Sequence, residues 1–361
     1  MSCRQLDLNA LRQLLNWRYL AFIQFCVFFF LNAALYTNWE GNRLHYKSLE
    51  LESWSLTLLS VFVLGIWLHR QNAKDIKRAL IIWLPVGLSV SFTVASVWYF
   101  SGHQDARLRA FTPSPLIPPF WFLVFTMASF VWLSEMSYLF KLWRFVLFLM
   151  AGVMVVYGGA RLVLLAWILC GLTLAVWFYI QTAAKYRLLA FFQIGSTLAI
   201  IAGGMLLVDF FAGGIMTYRM TLLFSVDFTY EGISSQFLRI QIWSGALSII
   251  ADNPVIGIGK VNERLALQQE LGWDRWLRAH QTYLSYLIAG GIPALISGLL
   301  LQSSSLAFLS PEKRSVFFPA FLGLGVVVTM NCFTDSIFQS GVSVQVFMLT
   351  TLLFLRASDA D

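Results

Sequence analysis

Apolar runs recur along nearly the whole chain, and they constrain its fold more than any other feature. Each is close to the roughly 20 residues that an α-helix needs to cross about 30 Å of hydrocarbon. The 361-residue sequence is 58% hydrophobic and only 12% charged, whereas soluble domains carry roughly 25% charged residues. We therefore predict an all-α, polytopic integral membrane bundle of about ten transmembrane helices.

The predicted spans lie on both sides of one long polar segment. They cover approximately residues 19–36, 51–69, 79–100, 120–140, 145–157, 162–180, 188–208, 283–301, 316–332 and 342–355. Two short basic stretches are predicted to be connectors, RQNAKDIKR at Arg70–Arg78 and KLWR at Lys141–Arg144. The predicted domains are 1–208 with transmembrane helices 1–7, 209–282 as a large periplasmic loop with short helices, and 283–361 with helices 8–10 and a cytoplasmic tail.

Basic residues of the short loops predict the orientation, because Lys and Arg concentrate on the cytoplasmic side. Most of them fall on the side of the two termini, and the opposite side holds only Arg43, Lys47, Arg107, Arg109 and Arg161. Both termini are therefore expected in the cytoplasm, with the long segment in the periplasm and the protein in a bacterial inner membrane.

The net charge of +7 does not indicate nucleic-acid binding, because the basic residues form short clusters and no stripe on a folded domain. The cysteines Cys3, Cys26, Cys170 and Cys332 lie at the amino terminus or within apolar runs. They offer no metal-ligand spacing and no disulfide framework. We expect no metal and no cofactor.

The long polar segment contains three predicted helical stretches. A helical period follows Ser234 and stops at Asp252, Asn253 and Pro254. A second helix is predicted from Asn262, a possible N-cap, to Leu271, with Gly272 in the position of a C′ glycine. A third period places Trp276, His280 and Tyr283 on one face that continues into the eighth span.

Three residues are the main candidates for chemistry, and each has a structural alternative. Arg161 follows two small residues in a short turn and could bind a ligand or only extend to the membrane surface. Arg239 lies in an apolar-rich helix and could grip a phosphate bidentately or pair with Asp227 or Glu231. His280 could take a proton from a hydroxyl or be an interfacial structural histidine.

Other charged residues are secondary candidates. Arg219, Arg275 and Arg278 could add positive field around an anionic substrate, or they could contact solvent and lipid headgroups. Glu135 and Asp335 are expected within the membrane, where they would be hydrogen-bond anchors or part of a proton path.

The motifs in the second half of the chain resemble the O-antigen ligase and polymerase superfamily. FLRIQIWSGALSIIADNPVIGIG contains Arg239, Trp243 and the turn Asn253–Gly259, and AHQTYLSYLIAGGIPAL contains His280, Tyr283, Leu284 and Gly291. GGARLVLLAW is similar to the family's Ser-Arg turn, with Arg161 in the arginine position. The similarity extends over roughly residues 155–300, and Gln281 replaces a frequent Asn.

The resemblance implies a GT-C-like glycosyltransferase that uses an undecaprenyl-diphosphate-linked glycan. It implies that Arg161 and Arg239 bind the leaving diphosphate and that His280 activates or orients the acceptor hydroxyl. We also place Arg219, Arg275, Arg278 and Tyr283 among the expected substrate-binding residues. An O-antigen ligase would transfer the glycan to a sugar hydroxyl of lipid A-core, whereas a polymerase would use a second lipid-linked glycan as acceptor.

Two other classes of function remain as alternatives. A polysaccharide or lipid transporter would place its site at the midplane, between interrupted spans of an inverted repeat, and the charged candidates instead cluster toward one outer face. A membrane scaffold without activity would tolerate Arg239→Ala and His280→Ala.

Overall fold

The part of the chain described by the computed structural model is helical and contains no strand. It comprises residues 17–35, scattered positions between 55 and 70, residues 71–101, 117–158 and 161–183, scattered positions between 195 and 214, and residues 230–273, 278–333, 338 and 341–360. The α-helices in chain order are α1 (Trp17–Leu35), α2 (Ala73–Phe100), α3 (Ile117–Ser129), α4 (Tyr138–Gly158), α5 (Arg161–Ala183), α6 (Tyr230–Asp252), α7 (Glu263–Leu271), α8 (Thr282–Ser303), α9 (Arg314–Phe321), α10 (Val328–Cys332) and α11 (Gly341–Ala357).

Within these described ranges, four helical segments are long and apolar enough to cross a membrane. They are Ala73–Val97, Tyr138–Tyr157, Leu162–Ile180 and Thr282–Leu309. Shorter apolar helices cover Ile23–Asn32, Pro118–Ser129 and Val316–Cys332. The predicted all-helical fold is therefore confirmed for the described residues, with four segments that could span a membrane, whereas the count of ten spans and the GT-C-like arrangement stay predictions.

The fourth predicted span, residues 120–140, is wrong as a single helix. α3 ends at Ser129, and the chain turns through Trp132, which has a left-handed φ of 58°, before α4 begins at Tyr138. Glu135 lies in the 3₁₀ turn that follows Trp132 and is exposed. The intramembrane position expected for Glu135 stays a prediction, and Asp335 lies outside the described residues.

The KLWR stretch is also wrong as a connector, because Lys141–Arg144 lies inside α4. Arg144 is fully buried, and its guanidinium donates hydrogen bonds to the carbonyl oxygens of Ser129 and Ile81. A buried cation is tolerable when such acceptors replace water. Lys141 and Arg144 consequently no longer count as loop charges for the orientation, which stays a prediction.

The basic stretch Arg70–Arg78 is mostly helical, contrary to the predicted loop. α2 begins at Ala73, and the side chain of Asn72 accepts a hydrogen bond of 3.0 Å from the Lys74 N–H. An asparagine at this position satisfies one of the unpaired N–H groups of the first helical turn. The helix therefore starts six residues earlier than the apolar run that predicted it.

The chain forms two compact units. The first comprises Met1–Lys77, Phe228–Ala307 and Asn331–Asp361, and the second comprises Arg78–Asp227 and Phe308–Met330. Arg239 and His280 belong to the first unit, and Arg161 belongs to the second. The division into a helical 1–208, a periplasmic 209–282 and a helical 283–361 stays a prediction.

In the second unit, α3 packs against α4 and against a π-helical turn, Leu322–Val327, that links α9 to α10. Gly323 permits this contact, because a Cβ there would lie 2.7 Å from the carbonyl oxygen of Val124. α4 and α5 are joined by Trp167, whose indole stacks on Phe148 and donates to the Phe148 carbonyl at 2.8 Å.

In the first unit, α8 is not one straight helix. Its backbone leaves helical geometry at Gly290 and Gly291. The hydroxyl of Tyr283 donates to Gln302 Oε1 at 2.8 Å, although residues 19 positions apart in a straight helix are separated by about 28 Å. Residues 282–289 and 292–303 therefore fold back on each other, and the Tyr286 ring lies against Gly298. The span predicted over 283–301 therefore falls in a candidate membrane segment, but its helix is interrupted at Gly290 and Gly291.

Candidate functional site

α6 carries Arg239 on the same side as its packing face. Ile242, Ala246 and Ile249 are buried in a core that Leu267 of α7 and Ile288 of α8 complete. This spacing is the helical period that predicts the stretch. The helix ends at Asp252, before Asn253 and Pro254, as predicted.

The Arg239 side chain is partly exposed. In the described part of the chain no carboxylate pairs with it. Of its two proposed partners, Asp227 lies outside the described residues, and the side chain of Glu231 is not described. Both roles of Arg239, as a phosphate ligand and as a salt-bridge partner, stay predictions.

The turn Asn253–Gly259 docks onto the break in α8. The Ile258 N–H donates to the Ile288 carbonyl oxygen at 2.8 Å, and the Gly259 N–H donates to the Ala289 carbonyl oxygen at 2.9 Å. In the opposite direction, the Ile292 N–H donates to the Pro254 carbonyl oxygen at 3.0 Å. In a regular helix, Ile288 would accept from residue 292 and Ala289 would face residue 293, a proline without an N–H. The turn therefore satisfies the carbonyls that the break releases.

Two glycines make this close approach possible. Gly257 and Gly291 have φ values of 66° and 63°, which are left-handed. A Cβ on Gly257 would lie 2.5 Å from the Ile288 carbonyl oxygen, and one on Gly291 would clash with the Val255 carbonyl. Only glycine accepts both the backbone angle and the contact. Gly257 of the Asn253–Gly259 turn and Gly291 of the α8 break therefore both serve one backbone contact, which we call the joint between the turn and α8.

Asn32 of α1 connects the same two segments. Its amide donates to the Ala289 carbonyl at 2.8 Å, and its side-chain oxygen accepts from the Lys260 N–H at 3.2 Å. Asn32 is only 5% exposed, so both of its polar ends are satisfied inside the protein. This residue ties an amino-terminal helix to the turn and to the helix break.

The segment before α8 presents His280 in an unusual backbone conformation. His280 has a φ of 49°, which is left-handed and uncommon for a residue with a side chain. Its side chain is exposed. α8 begins two residues later, where the Gln281 side chain accepts a 2.6 Å hydrogen bond from the Leu284 N–H. The predicted helical face through His280 is therefore wrong, because the helix starts after it.

The neighbour of His280 is held at both of its backbone polar groups. The Trp243 indole donates to the Ala279 carbonyl at 2.9 Å, and the Ala279 N–H donates to Glu263 Oε1 at 3.2 Å. Trp243 lies one helical turn beyond Arg239 on α6, on the same side of the helix. The Trp243 contact therefore fixes the His280 segment against the helix that carries Arg239.

Glu263 is the buried carboxylate of this site, with 3% of its surface exposed. It opens α7 and also accepts a hydrogen bond from the Ser285 hydroxyl at 2.8 Å. A carboxylate in the first turn of a helix is favoured by the helix dipole. The predicted helix up to Leu271 is confirmed, as is Gly272 at its end with a φ of 64°. The Asn262 side chain does not cap it, because its amide donates to the Ile258 carbonyl instead.

The remaining candidates differ in how far the structure describes them. α5 begins at Arg161, one residue before the predicted start of the sixth span, but the side chain of Arg161 is not described. Arg219 and Arg275 lie outside the described residues. Arg278 is exposed, two residues before His280. Tyr283 is half-buried, and its hydroxyl is engaged by Gln302.

Sequence reasoning did not single out Glu263 or Asn32. A lone carboxylate in a polar segment does not indicate burial. The partners of Glu263, the Ala279 N–H and the Ser285 hydroxyl, are 16 and 22 residues away in the sequence. Asn32 carries a weak signal, since it is a single amide in an otherwise apolar run. Within the described ranges, no group of three or more His, Cys, Asp or Glu side chains could hold a metal ion, and metal independence stays a prediction.

These features define an α-helical membrane protein in which an arginine-bearing helix and a histidine-bearing segment pack together in one unit. Residues 145–299 match the family model of the O-antigen ligases, Wzy_C. The match confirms the resemblance to the O-antigen ligase superfamily, which the motifs around Arg239 and His280 predict. No curated protein matches the chain.

Proposed function

We propose that the chain is an O-antigen ligase of the bacterial inner membrane. It transfers a glycan from undecaprenyl diphosphate to a sugar hydroxyl of lipid A-core, without a metal ion. Both termini face the cytoplasm, and the transfer takes place on the periplasmic side. The family match and the apolar helices support this proposal.

Arg239 and His280 have complementary roles in the proposed reaction. Negative charge develops on the diphosphate as the glycosidic bond breaks, and a preorganised cation lowers that barrier. Arg239 binds the leaving diphosphate through its guanidinium, which matches phosphate geometry bidentately. His280 accepts the proton of the acceptor hydroxyl, or orients that hydroxyl, as its sugar bond forms.

The resemblance assigns Arg161 the same role as Arg239, as a second diphosphate ligand. Arg219, Arg275 and Arg278 contribute positive field near the anionic donor. Tyr283 is proposed to contact substrate through its ring, because its hydroxyl already donates to Gln302.

The single observation that carries the proposal is the hydrogen bond from Trp243 to the Ala279 carbonyl. It joins the arginine helix to the residue before His280 within one unit, so the two groups needed for transfer share a rigid frame. The left-handed backbone of His280 is consistent with this role, because such outliers cluster at functional sites.

A complementation experiment tests the type of reaction. In a ligase-null cell that lacks surface O-antigen, expression of the chain should restore long-chain lipopolysaccharide. If it instead restores the ladder only in a polymerase-null cell, the acceptor is a second lipid-linked glycan and the ligase proposal is wrong.

Single substitutions test the site. Arg239→Ala and His280→Ala should each abolish the restored lipopolysaccharide while the amount of membrane-inserted protein stays close to that of the parent. Arg70→Ala removes an exposed cation outside the site and serves as the matched control. A normal ladder from both site variants would contradict the assignment.

A further inference from the structure

Glu263 is a buried carboxylate for which the proposed reaction has no direct use. It lies one residue after the 3₁₀ turn Lys260–Asn262, which follows the docked turn, and it opens α7. Its Oε1 accepts hydrogen bonds from the Ala279 N–H and from the Ser285 hydroxyl. These contacts lie on the two sides of His280, one before it and one in the first turn of α8.

The left-handed backbone of His280 needs such support. A non-glycine residue in this region costs about 1 to 2 kcal/mol relative to the right-handed conformation, and strained conformations persist only when their surroundings fix them. Gln281, the residue that follows His280, is fixed because its side chain caps α8 by accepting from the Leu284 N–H. Glu263 and Trp243 fix the residue that precedes it.

The two contacts on Ala279 are not equivalent. Trp243 orients the carbonyl of Ala279, whereas Glu263 holds its N–H and also reaches across to Ser285. Ala279 is fully buried and Ser285 is 2% exposed, so water cannot replace the carboxylate at either donor. Glu263 is therefore the group that links the two ends of the segment containing His280.

We propose that Glu263 is a positioning residue for the transfer reaction: its carboxylate holds Ala279 and Ser285 and thereby fixes the imidazole of His280 for the acceptor hydroxyl. This inference rests on the proposed function. It assigns Glu263 no contact with donor or acceptor.

Two variants separate positioning from chemistry. Glu263→Leu removes both hydrogen bonds, and kcat for transfer should fall about 100-fold, the effect of misplacing a reacting group by about 1 Å. The KM for the lipid-linked donor should stay close to that of the parent, because ground-state binding is unaffected. Glu263→Gln keeps an oxygen acceptor and should stay within about fivefold of the parent, since only the charge-assisted part of the hydrogen bonds is lost.

A second measurement reads the hydrogen bond directly. Amide hydrogen exchange of purified full-length protein, followed by mass spectrometry over residues 278–285, should accelerate in Glu263→Leu and change little in Glu263→Gln. Glu270→Gln is the matched control, because Glu270 is an exposed carboxylate on the same helix, and it should alter neither exchange nor turnover. If Glu263→Leu does not fold, the same measurements on Ser285→Ala, which removes one of the two contacts, should show a smaller loss in kcat and no change in KM.

Three outcomes would overturn the inference. The first is unchanged exchange or unchanged turnover in Glu263→Leu. The second is equal inactivity of Glu263→Gln and Glu263→Leu with slow exchange in the Gln variant, which would show that the negative charge itself acts. The third is full activity of His280→Ala, in which case the proposed role of His280 fails as well. Loss of activity in His280→Ala together with an active Glu263→Leu refutes only the inference about Glu263.

Discussion

The hydrogen bond between Trp243 and Ala279 gives the sharpest prediction about the site. Trp243→Phe removes the indole N–H and retains an aromatic ring. The Ala279 carbonyl is in a fully buried residue, so it loses its donor without access to water. Leaving a buried polar group unsatisfied costs about 1 to 3 kcal/mol. This cost appears as lost stability. The rate falls because Ala279 loses its fixed position and His280 is displaced with it, so we expect transfer to fall by up to about 100-fold, the effect of misplacing a reacting group by about 1 Å.

The assay is the initial rate of glycan transfer by purified protein in liposomes, with lipid-linked donor and lipid A-core acceptor. Trp273→Phe is the matched control, because Trp273 packs on the same hydrophobic core as Trp243 and loses the same ring area. Trp243→Phe should lose about 1 to 3 kcal/mol more stability than Trp273→Phe, and only Trp243→Phe should lose activity. Equal rates for the two variants would refute the reasoning that the indole N–H sets the His280 segment.

Three further predictions follow from the same structure. Gly291→Ala should destabilise the protein by about 2 kcal/mol or more, because the Val255 carbonyl occupies the place of the new Cβ; the loss is measured as a lower melting temperature. The control Gly272→Ala has a similar φ but lies in open space, and it should cost only about 1 kcal/mol. Equal costs for the two variants would contradict the docked turn. Arg239→Lys should be as inactive as Arg239→Ala in the complemented ligase-null cell, since a point charge cannot replace the bidentate fork; a normal ladder would rule out bidentate binding. Dialysis of purified protein against EDTA should leave turnover unchanged, and a loss that Mg²⁺ restores would argue against arginines as the only counterions of the diphosphate.

Helix ends are predicted from the sequence where the residues that stop or start the helix lie within the same turn. The ends of α6 and α7 are set by Asp252, Asn253 and Pro254 and by Gly272, and each acts within its own turn. The start of α5 at Arg161 follows a change from small to apolar residues in the same way. These boundaries need no knowledge of the tertiary structure.

Elements that depend on distant partners are missed. An apolar run predicts a continuous helix over 283–301, because hydropathy does not record that Gly290 and Gly291 meet a turn some 35 residues earlier. The buried position of Arg144 similarly depends on carbonyl groups of Ser129 and Ile81, which belong to other helices. A basic residue whose acceptors are distant in sequence is therefore predicted to lie in a loop.

The sequence identifies the motif residues, but it does not show which contacts they make. Trp243 and the glycines of the turn stand out as a pattern, and only the structure shows that the first holds Ala279 and the others admit a backbone joint. Glu263 has no pattern at all. Its importance comes from burial and from two donors that fold onto it.

The joint between the turn and α8 also has a consequence for the order of synthesis. The groups that satisfy the broken helix, on Asn32, Ile258 and Gly259, all precede Ile288 and Ala289 in the chain. They have therefore left the ribosome before the break is made. Unpaired carbonyls are costly in an apolar environment, and here each has its donor waiting when it is inserted. A circular permutant that begins between α7 and α8 would synthesise α8 before Asn32 and residues 253–260. It would keep these contacts in the folded state and yet remove this advantage during insertion.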